Sequence, residues 1–579
     1  MANKLMITTT LVLASVILVG LSANTLPKKL DPLAPDTIYH NGTVLTMDSD
    51  ESSAEAIAVK NGKVIAVGTD KEMSQLQGRD TVMKDLKGKT ILPGFYDTHS
   101  HFPASGLHDI VFADLNSPPV GEITSIADLI DVMKEWGKDA AEGDWIQGQG
   151  YDQTLMKEGR HPTREDLDKI STTHPIHIMH SSGHLAVVNS KALQLAGITK
   201  ETADPKGGTI VRDPKTGEPN GILEEHATDL VSKIIPPITQ EQNESATIHA
   251  VEQYASAGVT TSIIAGVDKS AMRNLQNLIE RNVIPIRITA MGAGWGGMIS
   301  PGEEGGFTTG FGSDRFKLGP VKISYDGSIQ GYTGYLTEPY HKTPANDPDY
   351  KGYPGMDKEV LIERVKTLHQ AGYQIAVHGN GDAAIDDIIE AYRIAQEEFP
   401  RPDARHRIEH AQMAREDQLD SMKELGITPS YFVSHTYYWG DQHRDTFMGP
   451  ERASRMSPLQ STIDRDIKFS IHLDTFVVPM SPLQAIWSAV NRTSRSGEII
   501  GPEQRITPMQ ALKSVTSDAA WQNFEEQKKG SIEVGKLADF VILDENPLTV
   551  KPEKIKDIRV HETIVNDQII FPVSTSSSK

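Results

Sequence analysis

The chain of 579 residues contains no cysteine, which excludes disulfides, thiolate metal ligands, a thiol nucleophile and a lipid-anchored cysteine. Any metal must then be held by histidine, carboxylate or a modified lysine. Positive charge is short as well: 57 Lys and Arg stand against 78 Asp and Glu, a formal net charge of −21. That balance argues against a nucleic-acid partner, because phosphate binding needs a basic footprint. Beyond the first residues no long apolar run occurs, so no transmembrane helix is expected there. The one such run is at the start, where Lys4 precedes an unbroken apolar and small stretch over 11–21, followed by Ser22 and Ala23. This order reads as an export signal over 1–23, cleaved after Ser22 or Ala23, and places the mature protein in the periplasm or outside the cell. The alternative is an uncleaved anchor, although residues 5–23 are barely long enough to span a bilayer and Thr8, Thr9 and Thr10 dilute them. Residues 24–35, with Pro27, Pro32 and Pro35, read as an extended linker.

What is present is a long chain with a repeating texture. Short apolar runs over 36–90 are punctuated by Asn41-Gly42 and Asn61-Gly62, which are hairpin signals. The texture returns over 530–575, and each piece is too small to stand alone, so the two ends are expected to pair into one composite β-sandwich. Between them, residues 91–529 alternate strands with helical periods. Expected strands end at His99 and span 259–265, 284–289, 318–325, 374–378, 406–410, 427–432 and 467–474. Eight parallel strands with crossover helices make an α/β (β/α)8 TIM-like barrel, whose chemistry sits at the C-terminal strand ends. The long span 110–250 reads as an inserted lid subdomain.

The candidate metal ligands fall at those strand ends. In 91–102 an apolar stretch closes in His99-Ser100-His101, and residues i and i+2 of a strand share a face, so both imidazoles aim at one point. Pro93 cannot donate to a ladder, so this strand is expected to start near Phe95. Asp97 shares that face one step deeper and reads as a residue orienting the histidines. Lys322, inside Val321-Lys322-Ile323, points into the barrel mouth, where a buried ammonium is costly without a charge partner. Carboxylation by carbon dioxide would turn it into a bridging carboxylate. His378, His410 and Asp474 each close a run of β character.

Pro93-Gly94-Phe95-Tyr96-Asp97-Thr98-His99-Ser100-His101, the later ligands and Gly535-Lys536-Leu537-Ala538-Asp539-Phe540-Val541 together resemble the amidohydrolase superfamily. Val377-His378-Gly379-Asn380-Gly381-Asp382-Ala383-Ala384 and Arg407-Ile408-Glu409-His410-Ala411-Gln412 are similar to its family 3 group, the YtcJ-like proteins and N-substituted formamide deformylases. Strand eight departs from that pattern, with His472-Leu473-Asp474-Thr475 where members often carry Gly-Ser-Asp. The resemblance implies a divalent metal site, with zinc expected and Mn, Co or Ni suited to the same ligands. His99, His101 and Asp474 would hold one ion, His378 and His410 a second, and carboxylated Lys322 would bridge them; a single zinc is the alternative. Asp474 is the implied general base, moving a proton from an attacking water to the leaving amine.

The resemblance also places His184 facing the pocket, where it would bind substrate. Tyr151 and Asp152 read either as pocket residues or as a turn after a strand. The dense run His174, His177, His180 is explained by strand alternation. The expected activity is metal-dependent hydrolysis of a C–N bond in a small amide-like molecule, N-substituted formamides included. Deamination of a cyclic amidine or purine-like ring is the second reading, and a non-catalytic secreted regulatory protein on the same scaffold the third. A homodimer is the default for a symmetric soluble enzyme.

Overall fold

A computed structural model describes residues 33–108, 110–293, 307–344 and 347–572. The signal segment 1–23, most of the linker 24–35 and the last residues of 530–575 lie outside the described residues. Among those described, no helix is long and apolar enough to cross a membrane.

Eight parallel strands form one sheet in sequence order: β1 (Phe95–Ser100), β2 (Val259–Val267), β3 (Arg287–Ala293), β4 (Phe316–Ser324), β5 (Ile375–Gly379), β6 (Arg407–His410), β7 (Thr428–Tyr431) and β8 (Ser470–Ile471). All eight expected strands are present. The last is shorter than its 467–474 pattern implied, yet the chain continuing from it closes the barrel onto β1: Asp474 N donates to His99 O at 3.1 Å and His101 N donates to Thr475 O at 2.7 Å. β-branched residues dominate β2 (VTTSIIAGV), where stiff side chains pack well on a pleated surface. The crossover helices Lys358–Gln370 and Asp382–Glu398 turn Leu361, Val365 and Leu368, and Ile385, Ile388 and Tyr392, into the core, the stripes that a 3.6-residue period predicts.

Both chain ends build two further sheets. Thr90–Pro93, from the N-terminal part, pairs antiparallel with Phe540–Leu543, Leu92 standing opposite Val541. Tyr39 OH and Thr37 Oγ1 donate to the Asp567 carboxylate at 2.7 and 2.8 Å, so the two ends are tied by side chains as well as by ladders. Pro93 ends this sheet's strand and Phe95 begins the barrel, so Pro93-Gly94 is the hand-over between them. Gly94 is there for space: a Cβ at that position would lie 2.1 Å from Thr260 Cγ2.

Within the inserted span, a six-stranded sheet runs in the order Gly208–Arg212, Pro219–Glu225, Leu185–Val188, Ile176–His180, Ile146–Tyr151, Ala113–Asp114. It has its own core, with Leu115, Leu129, Met133, Leu167 and Ile178 fully buried. The helix Gln240–Ser256, at the end of that span, belongs elsewhere: its Ala250 and Tyr254 pack in the core of the barrel.

Candidate functional site

The C-terminal ends of β1, β4, β5 and β6 and the turn after β8 bring six side chains together. His99, His410 and Asp474 present donor atoms that all lie within 4.8 Å of one another. His101 Nε2 stands 3.3 Å from Asp474 Oδ1, and His99 Nε2 3.6 Å from the same oxygen. Lys322 Nζ lies 3.2 Å from His99 Nε2. The ring of His378 is 4.4 Å from that of His410. All six expected ligand residues therefore surround one space. The trio with the closest donors joins His410 to His99 and Asp474, whereas the sequence reading had divided them between two ions.

Three of the imidazoles are held at Nδ1 by a buried partner. His99 Nδ1 lies 2.6 Å from Glu409 Oε2, His378 Nδ1 lies 3.0 Å from Asp326 Oδ1, and His410 Nδ1 lies 3.2 Å from His472 Nε2. A carboxylate only accepts, so in the first two pairs Nδ1 carries the proton and Nε2 keeps its lone pair. Glu409 is braced in turn by Arg407, whose Nε is 2.7 Å from Oε1 and whose Nη2 donates to Oε2 at 3.0 Å. In this pair both side chains are fully buried. Asp326 also accepts from the backbone N–H groups of Asn380 and Gly381, at 3.0 and 2.8 Å. Asp474 Oδ1 is buried without a hydrogen bond of good geometry, a costly state for a carboxylate unless a cation completes it.

Electrostatics match this picture. Burial and the neighbouring Lys322 pull the His99 imidazolium down to about 4, so the ring is neutral at pH 7. Burial pulls Lys322 down to about 8, and among the described residues no carboxylate lies within ion-pair distance of it. Burial opposes ionisation of Asp474, but His101, His99 and His472 around it hold the carboxyl well below the usual range. The donors are thus neutral imidazole nitrogens and an ionised oxygen, the set that suits a divalent ion.

Backbone strain marks the same places. His410 (φ 68°), Ala411 (φ 43°) and Asp474 (φ 53°) are left-handed without being glycine, a conformation that clusters at functional sites. At His410 it has a direct effect: strict alternation would send Glu409 and His410 to opposite faces of β6, yet both reach the site.

The remaining expectations divide. His184 stands beside the ligands, its ring 5.2 Å from that of His378, with Nδ1 2.9 Å from Glu225 Oε2. Tyr151 does not reach the site; it is buried in the core of the inserted sheet, with its hydroxyl 3.0 Å from His161 Nδ1. Asp152 is a joint, accepting from Trp439 Nε1 at 2.7 Å. Asp97 touches neither imidazole ring. It accepts from Ser100 Oγ at 2.8 Å and Ser262 Oγ at 3.1 Å, tying β1 to β2, and burial raises its carboxyl to about 7. The carboxylate that orients His99 is Glu409, reached across the barrel from β6. Glu409, Asp326 and His472 are the functional residues the sequence reading did not assign. The departure at strand eight was a visible signal for His472; nothing local announces the other two.

Open space adjoins the cluster. A cavity of about 560 Å³ runs beside His101 along Ile264, Gly266 and Asp268, and one of about 600 Å³ meets Lys322, Ser324 and Arg364, sizes suited to a small molecule.

Comparison with known proteins agrees with this geometry. The sequence pattern described as the amidohydrolase family matches residues 83–571. The chain is 30% identical over 540 residues to protein LONG AFTER FAR-RED 3 of Arabidopsis thaliana, covering 90% of this chain and 89% of that one. It is 26% identical over 540 residues to the N-substituted formamide deformylase of Arthrobacter pascens, covering 92% and 97%. Among solved structures it is similar to an uncharacterized metal-dependent hydrolase from Pyrococcus horikoshii, with a TM-score of 0.69 at 26% identity over 89% of this chain and 99% of that one.

Proposed function

Since this chain belongs to the amidohydrolase family, we propose that it is a metal-dependent hydrolase of a C–N bond in a small amide-like substrate, with N-substituted formamides as the first class to test. One observation carries the reading. Imidazoles from three strands, two of them fixed by carboxylates so that Nε2 carries no proton, converge with an unsatisfied carboxylate oxygen at the catalytic end of a parallel barrel. The similarity to a formamide deformylase over nearly the whole of both chains supports the substrate class.

His99, His101 and Asp474 would hold one ion and His378 and His410 a second, with Lys322 bridging as its carbamate. Because the donor of His410 is within 4.8 Å of those of His99 and Asp474, a single ion on those three is the alternative. A divalent ion there supplies an acidified water, with a pKa near 7, and polarises the scissile carbonyl. Lys322 favours the carbamate: it is buried, lacks a carboxylate partner among the described residues and is pulled to about 8, which keeps some amine neutral. The neutral Nζ adds to the carbon of carbon dioxide and releases one proton, replacing a buried cation by an anion among ligands. The Asp474 carboxylate would accept the proton of the attacking water and deliver it to the leaving nitrogen. His184, held by Glu225 on the inserted sheet and with its ring 5.2 Å from that of His378, would contact the substrate.

The test is amine release from N-formyl and N-acyl substrates by zinc-loaded protein, run beside ammonia release from heterocyclic amidines. Amine release that disappears in His99→Ala and Lys322→Ala is expected. Full activity in His99→Ala overturns the reading, full activity in Lys322→Ala overturns the carbamate bridge and leaves the single ion, and ammonia release alone moves the protein to the deaminases.

A further inference from the structure

His472 is the one imidazole partner among the three Nδ1 braces, and what it does depends on where its proton sits. Gln522 decides that. Its Nε2 donates to the carbonyl of Pro429 at 3.0 Å and to Thr428 Oγ1 at 2.9 Å; a carbonyl can only accept, so the amide has one orientation and Oε1 faces Ser470. Ser470 then gives its single hydroxyl proton to Gln522 Oε1, at 2.7 Å. Ser470 Oγ also stands 3.0 Å from Ser430 Oγ; sharing its one proton between two acceptors would weaken the 2.7 Å bond to Gln522, so every contact in the chain is fully made when Ser430 supplies the proton of this one. With that proton committed, Ser430 Oγ is an acceptor toward His472 Nδ1, 2.9 Å away. His472 therefore carries its proton on Nδ1 and presents a bare Nε2 to His410 Nδ1. The opposite order would leave two hydroxyl oxygens in buried contact with at best a shared proton between them.

We propose that His472 is a positioning residue that locks His410 in the Nδ1-protonated tautomer, leaving the Nε2 lone pair of His410 for a metal ion. The order originates some way from the metal centre, at an amide on the helix Ser517–Gln522, and passes through β8 and β7 to β6. The neutral imidazole does for His410 what Glu409 and Asp326 do for His99 and His378, without adding a negative charge to the site. It also accounts for the departure at strand eight: the histidine two residues before Asp474 supplies an acceptor that glycine cannot. The inference rests on the reading of His410 as a metal ligand.

The test measures Zn2+ affinity by chelator competition on the full chain, alongside the melting temperature of each metal-free form. His472→Phe fills the space without an acceptor and is expected to weaken Zn2+ binding about 10–100-fold. His472→Gln, whose amide oxygen can stand near the Nε2 position, is expected to recover most of that loss. A structural role alone would follow the melting temperature and would not single out the acceptor. Wild-type affinity in His472→Phe overturns the proposal, and so does a His472→Gln variant as weak as the Phe variant. If His472→Phe does not fold, Ser430→Ala releases the Nδ1 proton and should weaken Zn2+ binding measurably; unchanged affinity there overturns the proposal. His410→Ala separates the two levels: unchanged affinity in it defeats the site reading itself, whereas loss in it with none in His472→Phe defeats the relay alone.

Discussion

Replacing Glu409 by Gln is the sharpest single perturbation of this site, because one carboxylate serves two buried groups. Arg407 and Glu409 are both fully buried, with Nε 2.7 Å from Oε1. After the substitution Arg407 keeps only neutral acceptors, Thr98 O at 2.9 Å and Asn523 Oδ1 at 3.2 Å, besides the new amide. Removing one partner of a buried pair costs roughly 3–5 kcal/mol, since the other charge stays behind. The amide has no good orientation. With its NH2 toward His99 it needs Nδ1 as an acceptor, which moves the imidazole proton to Nε2 and blocks the ligand atom. With its oxygen toward His99 it turns NH2 against the guanidinium. The expected outcome is a destabilised metal-free protein together with Zn2+ binding weakened about 10–100-fold. Denaturant unfolding in the presence of a chelator reads the first effect, and chelator competition under native conditions reads the second. A variant with a wild-type unfolding midpoint refutes the ion-pair argument, and one with wild-type Zn2+ affinity refutes the orienting role.

Three further outcomes follow from other parts of the molecule. Burial opposes ionisation of Glu525, but Lys529 and Lys317, at 2.8 and 3.0 Å, hold its carboxyl at about 2 against an ordinary 4.5; this depressed acid contributes on the order of 3 kcal/mol, present above pH 4.5 and lost as pH falls toward 2, so Glu525→Gln should flatten the acid limb of a plot of unfolding midpoint against pH. Gly94→Ala should destabilise by about 1–3 kcal/mol through overpacking, because the new methyl meets Thr260 Cγ2 at 2.1 Å; denaturant unfolding checks it, and a neutral result would show that β2 can move aside. Trp439→Phe removes the donor to the buried Asp152 and should cost roughly 1.5–3 kcal/mol, as for hydrogen bonds to charged groups, with faster hydrogen exchange in Ile146–Tyr151 than in the barrel strands.

The sequence carried the barrel well because its signals are periodic. Apolar stripes at 3.6 residues located the helices, and short runs of β character between them located all eight strands, since burial imposes those patterns on any sequence that folds this way. Ligands at strand ends were legible for the same reason: His99 and His101 share a face through alternation alone. What failed was information held between distant residues. Asp97 shares the face of the histidines, yet its carboxylate is taken by Ser100 and Ser262, and the brace on His99 comes from a residue 310 positions later. Alternation pointed Glu409 away from His410, and only the left-handed turn at His410 brings both inward. Tyr151 read either as a pocket residue or as a turn after a strand; it is the last residue of a strand in the inserted sheet, whose core it fills.

The braces also explain why a ligand set spread from residue 99 to residue 474 can act as one site. His99 on β1 is held from β6, His378 on β5 from Asp326 just after β4, and His410 on β6 from His472 just after β8. Each imidazole is thus oriented by a different strand from its own, and the pair of His99 on β1 with Glu409 on β6 is in place only once the sheet has closed. Closure itself runs through the site: the two backbone bonds joining β1 to the turn after β8 involve His99, His101, Asp474 and Thr475. Barrel and metal centre are then linked equilibria, and an ion that binds only the closed form stabilises it, by about 2.7 kcal/mol at one hundred times its dissociation constant. Loading with Zn2+ should therefore raise the melting temperature in a concentration-dependent way in the wild-type chain and much less in His99→Ala. An equal rise in both would place the ion elsewhere than on these residues.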